Sequence, residues 1–341
     1  MSAEVTLSPG ALEALIAAAM TASRTSPDNA RSVARALTAA EIDGQAGHGL
    51  ARVPSYAAQA RVGKVDGHAR PKMRRTRRGA LTVDAACGFA FPALDVALPR
   101  LTGMARDAGV AAAAFVRSHH FGVAGRHVER LAEAGLVALA FANTPKAMPA
   151  WGGKRPLLGT NPIAFAAPCA TGPPLVVDLA LSRVARGKIV VAAQRGEVLP
   201  SGWAVDAEGQ ATTDARAALT GALQPIGGAK GAALALMVEV LAAALTGARF
   251  GFEASSFLTV EGSPPAVGHL LIAIDPGAFA GRAAFAERLA ALAVALTGEG
   301  GVRLPGSRRI ERRAWAARAG VPVDARIYHE VAALAAPMRA E

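Results

Sequence analysis

A chain of 341 residues with 52% apolar and 18% charged side chains is long enough for two domains or one elaborated domain, and apolar enough to bury a core, which excludes disorder as its main theme. The formal net charge of +11 is nearly all arginine, clustered only at Arg70–Arg78 and Arg308–Arg313 without interleaved aromatics; such a field gives nonspecific nucleic-acid affinity at most, and its milder meaning is attraction of a small anion. Two cysteines, Cys87 and Cys169, exclude a disulfide framework or a zinc spacing and fit a reducing, cytoplasmic setting.

Glu4 and Glu13 occupy the N-terminal region and no basic segment precedes the first apolar run, so no signal peptide is expected. Ser8 with Pro9 places an N-cap and an N1 proline before a periodic helix to about Ser23, and Ser26 with Pro27 starts a second that ends near Gly44. His48, Arg52 and Tyr56 then recur every four residues and share one face if the chain re-enters a helix. Pro54 requires that helix to begin close by. Gly63–Arg78 is expected to be a basic loop, Leu81–Asp84 a strand, Phe91–Ala108 a helix, and Val110–Val116 and Leu136–Asn143 strands. This alternation predicts α/β architecture.

Val116–Gly122, reading V-R-S-H-H-F-G, falls at the C-terminal tip of one of these strands, where open α/β sheets form ligand crevices. His119 and His120 there can exchange protons near neutral pH, while packed histidines with partnered ring nitrogens are the plain alternative. After Ala150 the glycines and prolines of Trp151–Gly153, Leu158–Pro162 and Pro173–Pro174 suggest loops moulded round a ligand. Leu175–Asp178 reads as a short strand and Ser182–Arg195 as a helix. Gly227–Gly231 is a glycine-rich turn into an apolar helix Ala232–Leu245, able to offer backbone N–H groups and the Lys230 ammonium to an anion. Glu239 inside the apolar stretch Gly231–Ala248 makes it a buried helix rather than a membrane span. Neither a GK[ST] loop nor a GxGxxG fingerprint is present. His68, His127, His269 and His329 have no companions in sequence and are expected to be structural.

Redox chemistry on an α-oxo or α-hydroxy carboxylate needs a carboxylate clamp, an acid/base at the oxygen and a hydride carrier. Arg52 suits the clamp, because guanidinium meets a carboxylate in a two-pronged geometry. His48 or His120 suits the acid/base, and Tyr56 could add a hydroxyl. Singly, each has a duller account as surface cover, core edge or cap. Their combination is hard to obtain by chance.

With these residues in view the chain resembles the malate/L-lactate dehydrogenase family that lacks a Rossmann fold, together with its sulfolactate, ureidoglycolate and cyclic imino acid relatives. The resemblance covers nearly the whole chain: His48–Gly49 with Arg52 and Tyr56; Ser118–Gly122; Gly159–Pro162; Asp178 with Ala185–Lys188; Gly202–Ala204 with Asp206; Thr212–Asp214; Lys230–Gly231; Gly268–His269 with Asp275; and Leu304–Gly306. It implies an α/β fold with a non-Rossmann, mixed-sheet nucleotide-binding domain at residues 116–304 and a helical, α+β dimerisation and substrate domain from 1–115 with 305–341. It also implies an NAD- or NADP-dependent 2-hydroxyacid dehydrogenase acting on a small anionic acid, best a doubly anionic one such as (R)-3-sulfolactate or malate, in a cytoplasmic homodimer with no metal, nucleic acid or membrane. His120, with His48 second, carries over as the acid/base; Arg52 and Tyr56 as the substrate clamp; Thr144, Asp178, Leu179, Ala180, Lys230 and Gly306 as the cofactor residues. Gly47 stands where relatives often have serine, which removes one expected substrate hydrogen bond. The piperideine-carboxylate reductases share Ser118–Phe121, Asp84–Ala85 and Gly88–Ala90 but carry aspartate where this chain has Lys188, so cyclic ketimine reduction ranks second. The segment Ala229–Phe257 looks most like the sulfolactate and malate branch. A noncatalytic basic binding module is the alternative outside enzymology.

Overall fold

In the computed structural model, which describes residues 3–336, serine caps start the first two helices as the sequence requires. After a short strand β1 (Glu4–Leu7), Ser8 accepts from the Ala11 N–H at 3.1 Å ahead of α1 (Pro9–Thr21), and Ser26 accepts from Asn29 at 3.4 Å ahead of α2 (Pro27–Ile42). Pro54 lies in the first turn of α3 (Val53–Arg61), where its missing N–H costs nothing. The outermost residues of the expected N- and C-terminal part, 1–2 and 337–341, lie outside the described residues.

The segment expected to be a basic loop is in part a strand. Lys72–Arg77 forms β2, antiparallel to β3 (Ala80–Asp84) at the edge of the main sheet. Both of its faces meet solvent, so it carries no apolar alternation, and its charges are those that discourage edge-to-edge association. Helix α4 (Ala90–Ala108) leads to β4 (Val110–Ser118), which runs past Val116 and ends at the paired histidines. Then come α5 (Ala124–Glu133), β5 (Val137–Ala142), a small hairpin of β6 (Met148–Pro149) and β7 (Pro156–Leu158), β8 (Ile163–Ala167) and β9 (Leu175–Leu179).

The expected helix from Ser182 begins only at Arg186, as α6 (Arg186–Arg195), because Ser182 pairs with Pro225 and Ala185 is extended. A three-stranded sheet of β10 (Ala204–Val205), β11 (Ala211–Thr212) and β12 (Ala222–Leu223) packs with α7 (Ala215–Thr220). The apolar helix starts at Ala229 rather than Ala232: α8 (Ala229–Glu239) follows Gly228, whose φ of +63° turns the chain into it, and continues as a π-helical turn to Ala244. β13 (Val267–Ile274), α9 (Arg282–Thr297), α10 (Ser307–Ala319), β14 (Val321–Asp324, paired with β1) and α11 (Ala325–Ala335) complete the chain.

The main sheet has the order β2-β3-β4-β13-β5-β8-β9, with β3 and β4 parallel and every other pair antiparallel. It is a mixed sheet and not a doubly wound parallel one, as the resemblance implies. Alternate residues face opposite cores. Ala111, Ala113 and Phe115 of β4 with Leu271 and Ala273 of β13 pack toward α1, α2, α4 and α5, whereas Ala112 and Ala114 with Leu270 and Ile272 pack toward α6, α7 and α8. Burial on both faces explains the small apolar residues and the lack of sequence alternation in these strands. The division expected at 115/116 falls within β4, and both parts contribute strands to this one sheet. Among the described residues no helix is long and apolar enough to cross a membrane.

Candidate active site

Gly49 sets the entry into α3. A Cβ there would meet the Glu41 carboxylate at 2.0 Å, and that carboxylate accepts from the Leu50 N–H at 2.7 Å. The chain therefore passes through two short 3₁₀ turns, Ala46–His48 and Leu50–Arg52, before α3. Arg52 is held at its Nε by the Gly47 carbonyl at 2.7 Å, which leaves its terminal nitrogens without a partner among the described residues. A Cβ at Gly47 would meet nothing within 4 Å, so a serine side chain would fit there sterically.

The end of β4 delivers the second half. The His120 ring stacks on His48 with centroids 5.1 Å apart and planes 12° from parallel, and its Nδ1 lies 2.5 Å from the Tyr56 hydroxyl. Tyr56 is fully buried. The three residues spaced by four in sequence thus converge with His120. His119 turns the other way: its Nε2 meets Gln59 Oε1 at 3.2 Å, and its ring lies edge-on to Phe89 and Phe257. Burial, reinforced by the Arg52 charge, pushes His48 down to about 4 and His119 to about 3, and places His120 well below the usual imidazole range. All three are neutral at pH 7.

Phe257 forms a wall of this pocket, with its ring 5.1 Å from His119 and 5.2 Å from His120. The loop carrying it is fixed from α3 and the turn after it. Gln59 Nε2 donates to the Phe257 carbonyl at 2.7 Å, and the buried Lys64 ammonium donates to the carbonyls of Ser256, Thr259 and Glu261 at 2.7–2.8 Å. Three acceptors match the three N–H groups of an ammonium. Ser118, the last residue of β4, bonds His269 of the neighbouring β13 at 3.0 Å just before the histidines.

The residues expected to hold the cofactor gather along the C-terminal end of β9. Asp178 Oδ2 accepts from the Gly125 N–H at 2.8 Å at the start of α5; burial raises this carboxyl against the opposing pull of that N–H and of Arg309. Gly306, at φ +89°, starts α10 against the Val176 carbonyl, and Arg309 Nη2 donates to the same carbonyl at 3.2 Å. Its Nη1 is buried with no partner among the described residues, and a Cβ at Gly125 would approach that nitrogen to 2.7 Å. Leu179 and Ala180 are exposed just beyond. Leu181 follows, linked through its N–H to Thr160 and through its carbonyl to the turn before Lys230. Thr144 bonds Thr160 on the same side. An unsatisfied guanidinium nitrogen, a buried carboxylate and an exposed ammonium fit a ligand bearing phosphates and hydroxyls.

Beneath this surface lies a network that explains Gly159–Pro162. Buried Glu239 accepts from the Asn143 and Asn161 side-chain amides at 3.1 and 3.0 Å and from the Gly251 N–H at 3.2 Å, and Asn161 adopts a φ of +40° to reach it. Sequence reasoning singled out His48, Arg52, Tyr56 and His120, which the fold brings together, but gave no role to Gln59, Lys64, Phe257 or Arg309 and read Glu239 only as a sign that its helix is buried. Arg309 lay inside the basic cluster Arg308–Arg313, where its mates have different duties: Arg313 is locked between Asp43 and Glu129 at 2.6–2.8 Å.

Comparison with known proteins follows this geometry. The chain is 53% identical over 297 residues, 87% of its length and 88% of the relative's, to a (2R)-3-sulfolactate dehydrogenase (NADP(+)) of Chromohalobacter salexigens. It is 45% identical over 295 residues, 86% of both chains, to a Δ1-pyrroline-2-carboxylate/Δ1-piperideine-2-carboxylate reductase of Pseudomonas putida. The crystal structure of the Δ1-piperideine-2-carboxylate reductase from Pseudomonas syringae pvar. tomato superposes with a TM-score of 0.91 at 41% identity, covering 97% of this chain and 99% of that one. A family model described as malate/L-lactate dehydrogenase matches residues 7–332, and the chain belongs to that family of oxidoreductases.

Proposed function

We propose that this protein is an NAD(P)-dependent dehydrogenase interconverting a 2-hydroxy acid and its 2-oxo acid, with a doubly anionic substrate of the (R)-3-sulfolactate or malate type. The observation that carries the reading is the stacked His48–His120 pair beside the end of Arg52 that has no partner among the described residues, in a chain 53% identical to an NADP-dependent sulfolactate dehydrogenase. Arg52 pairs with the substrate carboxylate. The hydrogen-bond network supports different roles for the two histidines. Tyr56 has His120 Nδ1 as its hydrogen-bond partner, and burial keeps the phenol protonated, so the hydroxyl donates and the proton of neutral His120 sits on Nε2. His120 then donates a hydrogen bond to the substrate oxygen, and neutral His48 takes the hydroxyl proton during oxidation. In reduction, protonated His48 returns it. When bound, the nicotinamide supplies or accepts the hydride. Thr144, Asp178, Leu179, Ala180, Lys230 and Gly306 hold the cofactor in this reading, with Arg309 adding its unpartnered nitrogen, and NADP is favoured over NAD by the name of the 53% relative. Tyr56 is thus a positioning residue rather than part of the clamp.

The cofactor side is assigned to residues 116–304, with Gly306 and Arg309 reaching it from the start of α10, and the substrate side to the helical part around them. The protein acts in the cytoplasm as a homodimer: exposed Leu236 and Leu245 on the α8 stretch, Leu292 and Val294 on α9 and Trp315 on α10 leave more apolar side-chain surface than a monomer needs. The second reading, cyclic ketimine reduction, is favoured by the 45% and 41% relatives. NADPH and NADH oxidation with sulfopyruvate, oxaloacetate, pyruvate and Δ1-piperideine-2-carboxylate separates the two. Fast turnover of the doubly charged oxo acids is expected. Turnover of the cyclic imine alone would make the protein a ketimine reductase.

A further inference from the structure

β4 changes phase just before the histidines. From Ala111 to Val116 its odd-numbered side chains are buried and its even-numbered ones partly exposed, yet Arg117 is exposed and Ser118 is buried. The pairing with β13 gives the reason: His269 stands opposite Phe115 and Val267 opposite Ser118, so Val116 and Arg117 together oppose Gly268 alone. This is a β-bulge, in which one strand gains a residue and the side chains beyond it are re-aimed. Gly268 packs too closely to carry a side chain, since a Cβ there would meet the Ala242 carbonyl oxygen at 1.9 Å.

Arg117 takes a φ of +52°, in the left-handed region that disfavours a residue with a Cβ. Contacts from the end of β3 hold it there. The Asp84 carboxylate accepts from Arg117 Nε at 2.9 Å and from its Nη2, the Cys87 N–H donates to the Arg117 carbonyl at 2.8 Å, and the Ala85 N–H donates to the Val116 carbonyl at 3.0 Å. Ala86 and Cys87 are left-handed as well, at φ +54° and +59°, and the Ala86 N–H donates to the same carboxylate at 2.9 Å. Such strain persists only where the surroundings over-determine it, and here it adjoins His119 and His120. An ion pair with the Arg117 side chain half-exposed adds little stability; its consequence is geometric.

We infer that Arg117 is a positioning residue for the proton-transfer pair: held in the left-handed conformation, it sets the phase in which the chain leaves the sheet, so that His120 and not His119 stacks on His48 and meets Tyr56. Side chains along a strand alternate, and a shift of one residue exchanges their directions. Without the extra residue His119 would turn toward His48, and His120 would turn toward Gln59, the present partner of His119. The effect on turnover rests on the dehydrogenase reading given above; the orientation of the rings does not.

The test compares Arg117→Val with Arg117→Gly in the full-length protein. Both remove the guanidinium, but a β-branched residue is excluded from a φ of +52° and glycine is not. Imidazole ¹⁵N spectra of the unliganded proteins follow His120 Nδ1, and steady-state kinetics follow NADPH oxidation with sulfopyruvate. In Arg117→Val the Nδ1 resonance is expected to move as the bond to Tyr56 is lost, and kcat to fall about 100-fold, the effect of a misplacement of about 1 Å, with KM within about threefold of wild type. Arg117→Gly is expected to keep the wild-type resonance and to recover at least about tenfold of the lost kcat. Should Arg117→Val not fold, Arg117→Ala takes its place, because alanine also disfavours a positive φ. An unmoved His120 resonance in Arg117→Val, or an equal loss of kcat in Arg117→Val and Arg117→Gly, overturns the proposal. If the wild-type protein turns over no 2-oxo acid, the dehydrogenase reading fails and the ring spectra alone decide the role of Arg117.

Discussion

Tyr56 and His120 are 64 positions apart and meet at 2.5 Å in a space closed to water. Removing the hydroxyl in Tyr56→Phe frees the His120 tautomer without changing the shape of the core. Turnover should fall about tenfold with KM nearly unchanged, since the loss concerns the orientation of a proton-bearing group more than binding; an unchanged kcat would remove the positioning role. His48→Ala and His120→Ala should each lower kcat by about 100-fold or more, and wild-type turnover in both would end the assignment. Oxidation needs a neutral base, so with His48 held at about 4 its rate should decline only as pH falls toward that value. At this scale the sequence was informative where spacing carried meaning: the i, i+4 series His48, Arg52, Tyr56 and the doubled histidine at a strand end. Gln59 and Lys64 were silent, because nothing local marks which carbonyls of a loop some 190 residues later they will hold.

That loop, from Ser256 to Glu261, depends on one ammonium. Lys64→Met keeps the stem and removes three charge-assisted hydrogen bonds, leaving carbonyls unsatisfied; a stability loss of about 2–4 kcal/mol is expected. If Phe257 then withdraws from the histidines, they rehydrate and their pKa values rise, so the acid limb of the oxidation profile should move to higher pH. Equal destabilisation without that movement would make Lys64 merely structural. The end of α8 holds a comparable device: Glu239→Ala strips the acceptor from two buried amides and the Gly251 N–H, and chemical denaturation should show a loss of about 1–3 kcal/mol for each donor left unsatisfied. Elements themselves were legible where caps or alternation declared them, as with Ser8–Pro9 and Ser26–Pro27. β2 was misread as loop because an edge strand of charges has no buried face. β13, buried on both faces at the centre of the sheet, lacks the alternation that would distinguish it from a helix segment.

Across the whole molecule, burial of imidazole is a common theme. His48 and His127 are held at about 4, His119 and His269 at about 3, and His120 well below its ordinary value, each with burial as the first cause. Folded values below the unfolded 6.5 mean that the unfolded chain binds protons first, so their contribution is complete above pH 6.5 and is lost as pH falls toward 3–4. Urea midpoints should therefore be flat above neutrality and drop steadily below about 6.5; a flat profile down to 4.5 would show that these rings are not buried in solution. The sequence alone determined the α/β class through caps and periodicity and the family through its resemblance to known motifs, and it singled out His48, His120, Arg52 and Tyr56 as candidates for proton transfer and carboxylate binding, because all of these are local patterns. Tertiary structure alone decided which histidine stacks on which, that Tyr56 meets His120 Nδ1, and that Arg309 lies beside Gly125 and Asp178 with one guanidinium nitrogen lacking a partner among the described residues. Those outcomes depend on which side chains lose water together, and the chain specifies that only once the sheet has brought β4, β9 and α3 into place.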